Sequence, residues 1–161
     1  GLPILFDVDY RPYSWPSPQV AEEVLSKAAA LSDAIVGNDD EFGFMSGDKT
    51  KGLQKARDLA SSSAGLVIYK MGEAGSITIT AETEFRTGIY PVEALKPTGA
   101  GDSFMAGLVS SIAAGYDLQQ SVLRGSACAS ITVSKPGCAP AMANHKTLAA
   151  FLETHPGPTE I

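Results

Sequence analysis

The sequence predicts an α/β layered fold with a mostly parallel sheet and helices on both faces. Short β-branched runs, such as Ala34-Ile35-Val36-Gly37 and Leu66-Val67-Ile68-Tyr69-Lys70, alternate with longer segments of helical apolar spacing. Gly, Pro and Asn punctuate the joins, and polar residues gather where strands end. The 161 residues, 44% of them hydrophobic, suit one domain over 1–161 with a buried core.

The elements follow in order. An apolar strand is expected at about 3–8, then a loop, Asp9 to Pro16, whose prolines exclude regular helix. Ser17 reads as an N-cap with Pro18 at the first helical position, and Val20, Val24, Leu25, Ala28 and Leu31 form an apolar stripe expected to face the core. The strand at 34–37 runs into Asn38-Asp39-Asp40-Glu41, where Asn38 and Glu41 have capping-box spacing and Asp39 and Asp40 read as solvated charge. A helix at about 50–60, a strand at 66–70 and a strand at 76–81 come next, with Gly72 and Gly75 turning the chain between the two strands. Thr87 to Glu93 reads as extended. Pro97-Thr98-Gly99-Ala100-Gly101-Asp102 opens a helix that Gly115 closes, and Asp117 with Gln120 opens another that runs to about Ser134. A last helix at about 145–153 precedes a Pro-rich tail expected to fray.

A net charge of −6 and a pI near 4.8 provide no basic field for nucleic acid or an anionic membrane, so neither partner is expected. No apolar run reaches the roughly 20 residues of a membrane span. Cys128 and Cys138 read as reduced thiols and His145 and His155 as surface or cap residues, which together suit a cytoplasmic protein without zinc. The chain opens on a strand with no initiator Met, and an N-terminal portion is expected to be missing.

The local signal with most chemistry is Gly99-Ala100-Gly101-Asp102 at a helix entry. Small residues let main-chain N–H groups converge, and the helix terminus adds partial positive charge, so the turn suits a phosphoryl group. Asp102 beside it can take the proton of an attacking hydroxyl. The competing reading makes Asp102 a helix cap and the glycines a tight turn. Phe104 occupies the third glycine position of a dinucleotide fingerprint, and the chain has no GxxxxGK[ST] loop.

Thr98 to Phe104 resembles the C-terminal signature of the PfkB, or ribokinase-like, carbohydrate kinases. Asn38-x-x-Glu41, Lys70-Met71-Gly72-Glu73-Ala74-Gly75 and Ser126 to Ser134 resemble further segments of that family, in the same order. Asp7-Val8-Asp9-Tyr10-Arg11-Pro12 resembles its Asp-x-Asn-x-Arg element in the form of the 5-dehydro-2-deoxygluconokinase branch, involved in inositol breakdown.

The resemblance implies a three-layer α/β/α kinase lacking its N-terminal half and lid, with ATP and Mg2+ as cofactors. Asp102 becomes the catalytic base, and the N–H groups of Gly99, Ala100 and Gly101 the stabilisers of the transferred phosphoryl. Nucleotide contacts fall to Asn38, Glu41, Lys70, Gly72, Gly75, Thr98, Ser126 and Ala129. Asn38 and Glu41 organise magnesium through water, and Asp9 and Arg11 meet the acidic sugar. Lys96 stands where many members carry an Asp for an activating monovalent cation, which implies activity without potassium.

The piece alone is expected to be inactive, and its cut sheet edge to favour a homodimer or pairing with the missing half. The alternatives are a non-catalytic nucleotide-binding module, or another kinase of the family such as a fructokinase or a 2-keto-3-deoxygluconate kinase.

Overall fold

The structure is a computed structural model that describes residues 1–155 and 157–159. Its contacts divide the chain into two compact units, Gly1–Gly72 with Ser76–Arg86, and Glu73–Gly75 with Thr87 onward.

The first unit is built on a sheet. Strands β1 (Leu5–Asp7), β2 (Ala34–Asn38), β3 (Leu66–Lys70), β4 (Ser76–Ile79) and β5 (Glu84–Thr87) lie side by side in chain order. β1, β2 and β3 are parallel, with Phe6 opposite Ile35 and Ile35 opposite Val67. β4 turns back antiparallel on β3, with Lys70 opposite Ser76. The sheet is therefore mixed. Its parallel part has the connections that parallel pairing demands, because α1 (Pro18–Ala30) crosses from β1 to β2, and α2 (Asp39–Met45) and α3 (Gly52–Ser62) cross from β2 to β3.

α1 begins as expected, with the Ser17 hydroxyl accepting from the Val20 N–H and Pro18 in the first turn. Its buried face differs. Ala21, Leu25 and Ala29 enter the core, whereas Val20, Val24 and Leu31 are exposed, Leu31 by 78%. Of the expected stripe Leu25 is buried and Ala28 half-buried, and the helix turns Ala21 and Ala29 inward in place of Val20, Val24 and Leu31. The core of this unit joins that face to Val8, Ile35, Val67, Tyr69, Ile77 and Ile79 from the sheet and to Phe42, Met45, Ala56 and Leu59. β5 also begins earlier than the extended segment read at 87–93; residues 88–93 carry no regular strand.

The second unit is helical. α4 (Ala100–Ala113) packs along α5 (Leu118–Val133), and α6 (His145–Thr154) packs against α5. Gly107 and Gly125 make the α4–α5 approach possible: a Cβ on Gly107 would fall 2.9 Å from the Gly125 Cα and 2.8 Å from the Cys128 Sγ. Ser103 and Thr132 bond to each other at 2.7 Å and to the Cys128 carbonyl, satisfying their buried hydroxyls. Asp117 caps α5 through the Gln120 N–H, which is the forward half of the expected box.

The tail is better held than its composition suggested. Thr159 exchanges hydrogen bonds with Ile89, its N–H donating to the Ile89 carbonyl and its hydroxyl accepting from the Ile89 N–H. The tail positions 156, 160 and 161 lie outside the described residues.

Candidate active site

The residues singled out from sequence fall into two constellations, one in each unit. In the first, the parallel register brings Asp7, Asn38 and Lys70 to the C-terminal ends of three neighbouring strands, where ligands of open α/β sheets bind. Asn38 and Glu41 form a complete capping box. The Asn38 Oδ1 accepts from the Glu41 N–H at 2.9 Å, and the Glu41 Oε2 accepts from the Asn38 N–H at 2.7 Å. The other Glu41 oxygen accepts from the Tyr10 N–H at 3.2 Å, so this carboxylate also fastens the loop after β1.

Glu41 is buried, and desolvation raises its pKa. The nearby Asp7 pushes the same way, while the N–H groups of Asn38 and Tyr10 and the Lys70 charge oppose the rise without cancelling it. Each of its oxygens already accepts one main-chain N–H, which leaves one lone pair apiece. Among the described residues, no group of three or more His, Cys, Asp or Glu is arranged to hold a metal. A water-mediated contact to a nucleotide-borne magnesium is what the arrangement leaves open.

Asp9 and Arg11 project from the same loop. Asp9 has φ +38, a left-handed conformation uncommon outside glycine, and its carboxylate pairs with the Arg11 guanidinium. Arg11 also donates to the Tyr10 carbonyl at 3.4 Å, and Tyr10 stacks on Phe44 with ring centroids 3.8 Å apart. Asp39 and Asp40 are exposed as expected, and Asp40 pairs with Lys49. Gly72 is exposed with open space around it.

The second constellation is the entry to α4. Gly99 is the N-cap residue at φ +87, Ala100 and Gly101 are the first helical residues, and Asp102 is exposed in the first turn. Ala100 departs from the sequence reading: its N–H donates to the Pro97 carbonyl at 3.3 Å and closes the turn. The N–H groups of Gly101 and Asp102 find no acceptor among the described residues, as the opening turn of a helix requires. Among the described residues the N–H groups of Gly99, Gly101 and Asp102 are thus without an acceptor in this turn, and that of Ala100 is not. Thr98 is exposed just before the turn.

The remaining members have structural duties that sequence did not separate from ligand contact. Ser126 is buried, and its hydroxyl donates to the Gly88 carbonyl at 3.5 Å; Ala129 is half-buried on the same helix. Gly75, at φ +80, is needed because a Cβ there would strike the Thr87 carbonyl, which is a packing demand of the chain itself. His145 is the exposed first residue of α6, capped by Asn144, and His155 stacks on Phe151, so neither is placed as a metal ligand. Cys128 and Cys138 are free thiols. Sequence reasoning passed over Tyr10 and Cys138, both held against site residues; loop contacts between distant segments leave no periodic signal.

A model of the pfkB family carbohydrate kinases matches residues 2–145. The chain belongs to this family. It is 38% identical over 156 residues to a 5-dehydro-2-deoxygluconokinase of Photobacterium profundum, a match covering 94% of this chain and 47% of the relative. It is 35% identical over 158 residues to a protein of the same name from Bacillus anthracis, with the same coverage. The chain thus spans about half the length of the curated relatives it matches, and it resembles the C-terminal half of the family.

Among solved structures, the chain superposes on an aminoimidazole riboside kinase from Salmonella enterica, complexed with aminoimidazole riboside and an ATP analog. That match has a TM-score of 0.84 and 27% identity, over 94% of this chain and 52% of the other. A fructokinase from Vibrio cholerae O395, in a fructose, ADP and potassium ion bound form, gives 0.82 and 26%, over 92% and 49%. The fold is therefore the ribokinase-like α/β fold that the sequence predicted.

Proposed function

We propose that this sequence is the nucleotide-binding portion, over 1–161, of an ATP-dependent kinase that phosphorylates the 6-hydroxyl of 5-dehydro-2-deoxy-D-gluconate. The observation that carries the reading is the α4 entry, where an exposed carboxylate, Asp102, stands in the same turn as unpaired N–H groups. The names of the relatives supply the acceptor, and Arg11 supplies a guanidinium suited to a sugar acid.

In this mechanism Asp102 accepts the proton of the sugar hydroxyl as its oxygen attacks the γ-phosphorus. The bond to the β–γ bridging oxygen breaks, and the electron pair leaves with ADP. The N–H groups of Gly99, Gly101 and Asp102 point at charge that spreads over the transferred oxygens, and being fixed by the helix they need not reorganise. In this reading the nucleotide contacts are Asn38, Glu41, Lys70 and Gly72 in the first unit and Gly75, Thr98, Ser126 and Ala129 in the second. Magnesium, carried by the nucleotide with water toward Asn38 and Glu41, would neutralise phosphate charge. Asp9 holds Arg11 until the acidic sugar competes for it.

Titration of the chain with ATP–magnesium and separately with NAD tests the nucleotide assignment; binding of NAD in preference to ATP would overturn it. Incubated with ATP–magnesium and the sugar acid, the 161-residue chain is expected to give no sugar-dependent ADP release above the no-enzyme rate. ADP release is expected to appear when the N-terminal portion of a relative is supplied. Turnover by the chain alone would defeat this expectation.

The proposed partner is that other half, and a homodimer in its absence. The open edge of β1 and the exposed Leu2, Ile4 and Leu5 beside it favour pairing. No helix among the described residues is long and apolar enough to cross a membrane. The cytoplasmic setting proposed here suits the two free thiols.

Lys96 is exposed, and its N–H is bonded to the Val133 carbonyl at 3.1 Å. Its ammonium is proposed to take the place of a monovalent cation. Phosphotransfer by the completed kinase is expected to be equal, within about twofold, in sodium, in potassium and in neither. Strong potassium dependence would sink the idea.

A further inference from the structure

We propose that Cys138 is a positioning residue for the phosphate-binding turn, its thiol acting as the wall that fixes Gly99 and so aims the donors that follow. The inference rests on the reading of the α4 entry as a phosphoryl site. Gly99 adopts φ +87, and a Cβ built on it would fall 2.5 Å from the Cys138 Sγ, with the Cys138 Cβ and Cα at 3.6 and 3.7 Å. The thiol therefore packs against the Gly99 α-carbon with room for a hydrogen only.

The wall is itself held. Gly137 turns at φ +100, the Cys138 carbonyl accepts from the Ala141 N–H at 2.9 Å, and the Ala139 carbonyl accepts from the Met142 N–H at 3.2 Å, closing a short helical turn over Ala139–Ala141. Ala141 anchors that turn in the interior. The segment leading into Gly99 is tied to the same region, because the N–H groups of Leu95 and Lys96 both donate to the Val133 carbonyl, at 2.8 and 3.1 Å. The end of α5 and the loop after it thus grip the approach to α4 at two points, one by hydrogen bonds and one by the thiol.

A left-handed glycine has little steric preference of its own, since φ of either sign is open to it. What selects the observed value must come from its surroundings, and the thiol is the nearest side chain to the missing Cβ. The orientations of Gly101 and Asp102 follow from Gly99, because the helix propagates rigidly from its cap. A side chain at 138 that matches sulfur in size should preserve the donor geometry. A larger one should rotate Gly99, and a smaller one should leave it loose.

The test uses Cys138→Ser, Cys138→Ala and Cys138→Val in the 161-residue chain, with two readouts. Amide NMR signals of residues 99–102 are followed during titration with inorganic phosphate, and ATP–magnesium affinity is measured by calorimetry. Thermal unfolding is run beside them. Cys138→Ser is expected to keep both readouts within about twofold of the parent, Cys138→Ala to weaken ATP–magnesium by about threefold, and Cys138→Val by about tenfold. The phosphate-induced shifts at 99–102 should be lost in the Val variant, with its unfolding temperature within about 3 °C of the parent.

Cys138→Val with parent-like shifts and affinity would overturn the proposal. So would equal losses in Ser, Ala and Val, which would mark a requirement for sulfur chemistry and not for size. If Val misfolds, the Ser-to-Ala contrast decides, and the absence of any difference between them overturns it. A parent chain that binds phosphate at 99–102 but no ATP–magnesium would defeat the nucleotide reading alone, and the phosphate titration would still decide the role of Cys138.

Discussion

Asp102→Asn, introduced into a kinase of full family length that carries this sequence as its C-terminal half, is expected to lower kcat for sugar phosphorylation by about 10²- to 10⁴-fold, the usual contribution of a positioned general base. Asparagine keeps the shape and the place in the first turn of α4 but cannot accept the hydroxyl proton. Because the N–H groups of Gly101 and residue 102 are unchanged, ATP affinity should stay within about threefold. Initial-rate kinetics with a separate measurement of nucleotide binding distinguishes this from a structural effect. If the reading that makes Asp102 only a helix cap were correct, loss of its charge would cost about 0.3–1 kcal/mol of stability through the helix dipole and leave kcat nearly intact. A wild-type kcat in the Asn variant would therefore remove the kinase mechanism from this residue.

Glu41→Ala is expected to destabilise the chain by about 2–3 kcal/mol, measured by urea unfolding. The side chain is 6% exposed, and its removal leaves the N–H groups of Asn38 and Tyr10 without their acceptors. The capping box fails at the same time, and the loop carrying Asp9 and Arg11 loses its tie to α2. Glu41→Gln keeps one acceptor oxygen and should cost about half as much.

The pH dependence adds an independent check. Burial raises the Glu41 pKa above its ordinary carboxylate value, so the folded chain holds this proton more tightly than the unfolded chain does. Stability from that source is fully present below the ordinary value and is lost as pH rises through the raised one. The advantage of wild type over Glu41→Gln should therefore shrink as pH rises above the ordinary carboxylate range, and a widening gap would contradict the assignment.

Much of this protein could be read along the chain, and the failures are instructive. Ser17-Pro18, Asn38-x-x-Glu41 and Asp117-x-x-Gln120 are local capping patterns, and the helices start where they stand. The strands at 34–38 and 66–70 were legible because a fully buried parallel strand is a short apolar run. The stripe on α1 was right at Leu25 and wrong at Val20, Val24 and Leu31, because periodicity does not say whether valines or alanines approach a sheet. The extended segment at 87–93 was placed too late because β5, with Glu84 and Arg86 exposed, lacks apolar character on its outer face. In the site, residue type and spacing marked Gly99 to Asp102. They could not reveal that Ala100 spends its N–H on the Pro97 carbonyl.

The division has one physical cause. Sequence by itself determined what depends on neighbours a few residues apart: the caps, the strand cores, the small-residue turn and the carboxylate within it, together with the family that those motifs identify. Only the tertiary structure decided what depends on segments meeting across long stretches of chain. It brought the Tyr10 N–H to the second oxygen of Glu41 and laid the Cys138 thiol against Gly99. Such contacts rest on shape and satisfied hydrogen bonds between distant residues, and neither quantity is periodic along the chain.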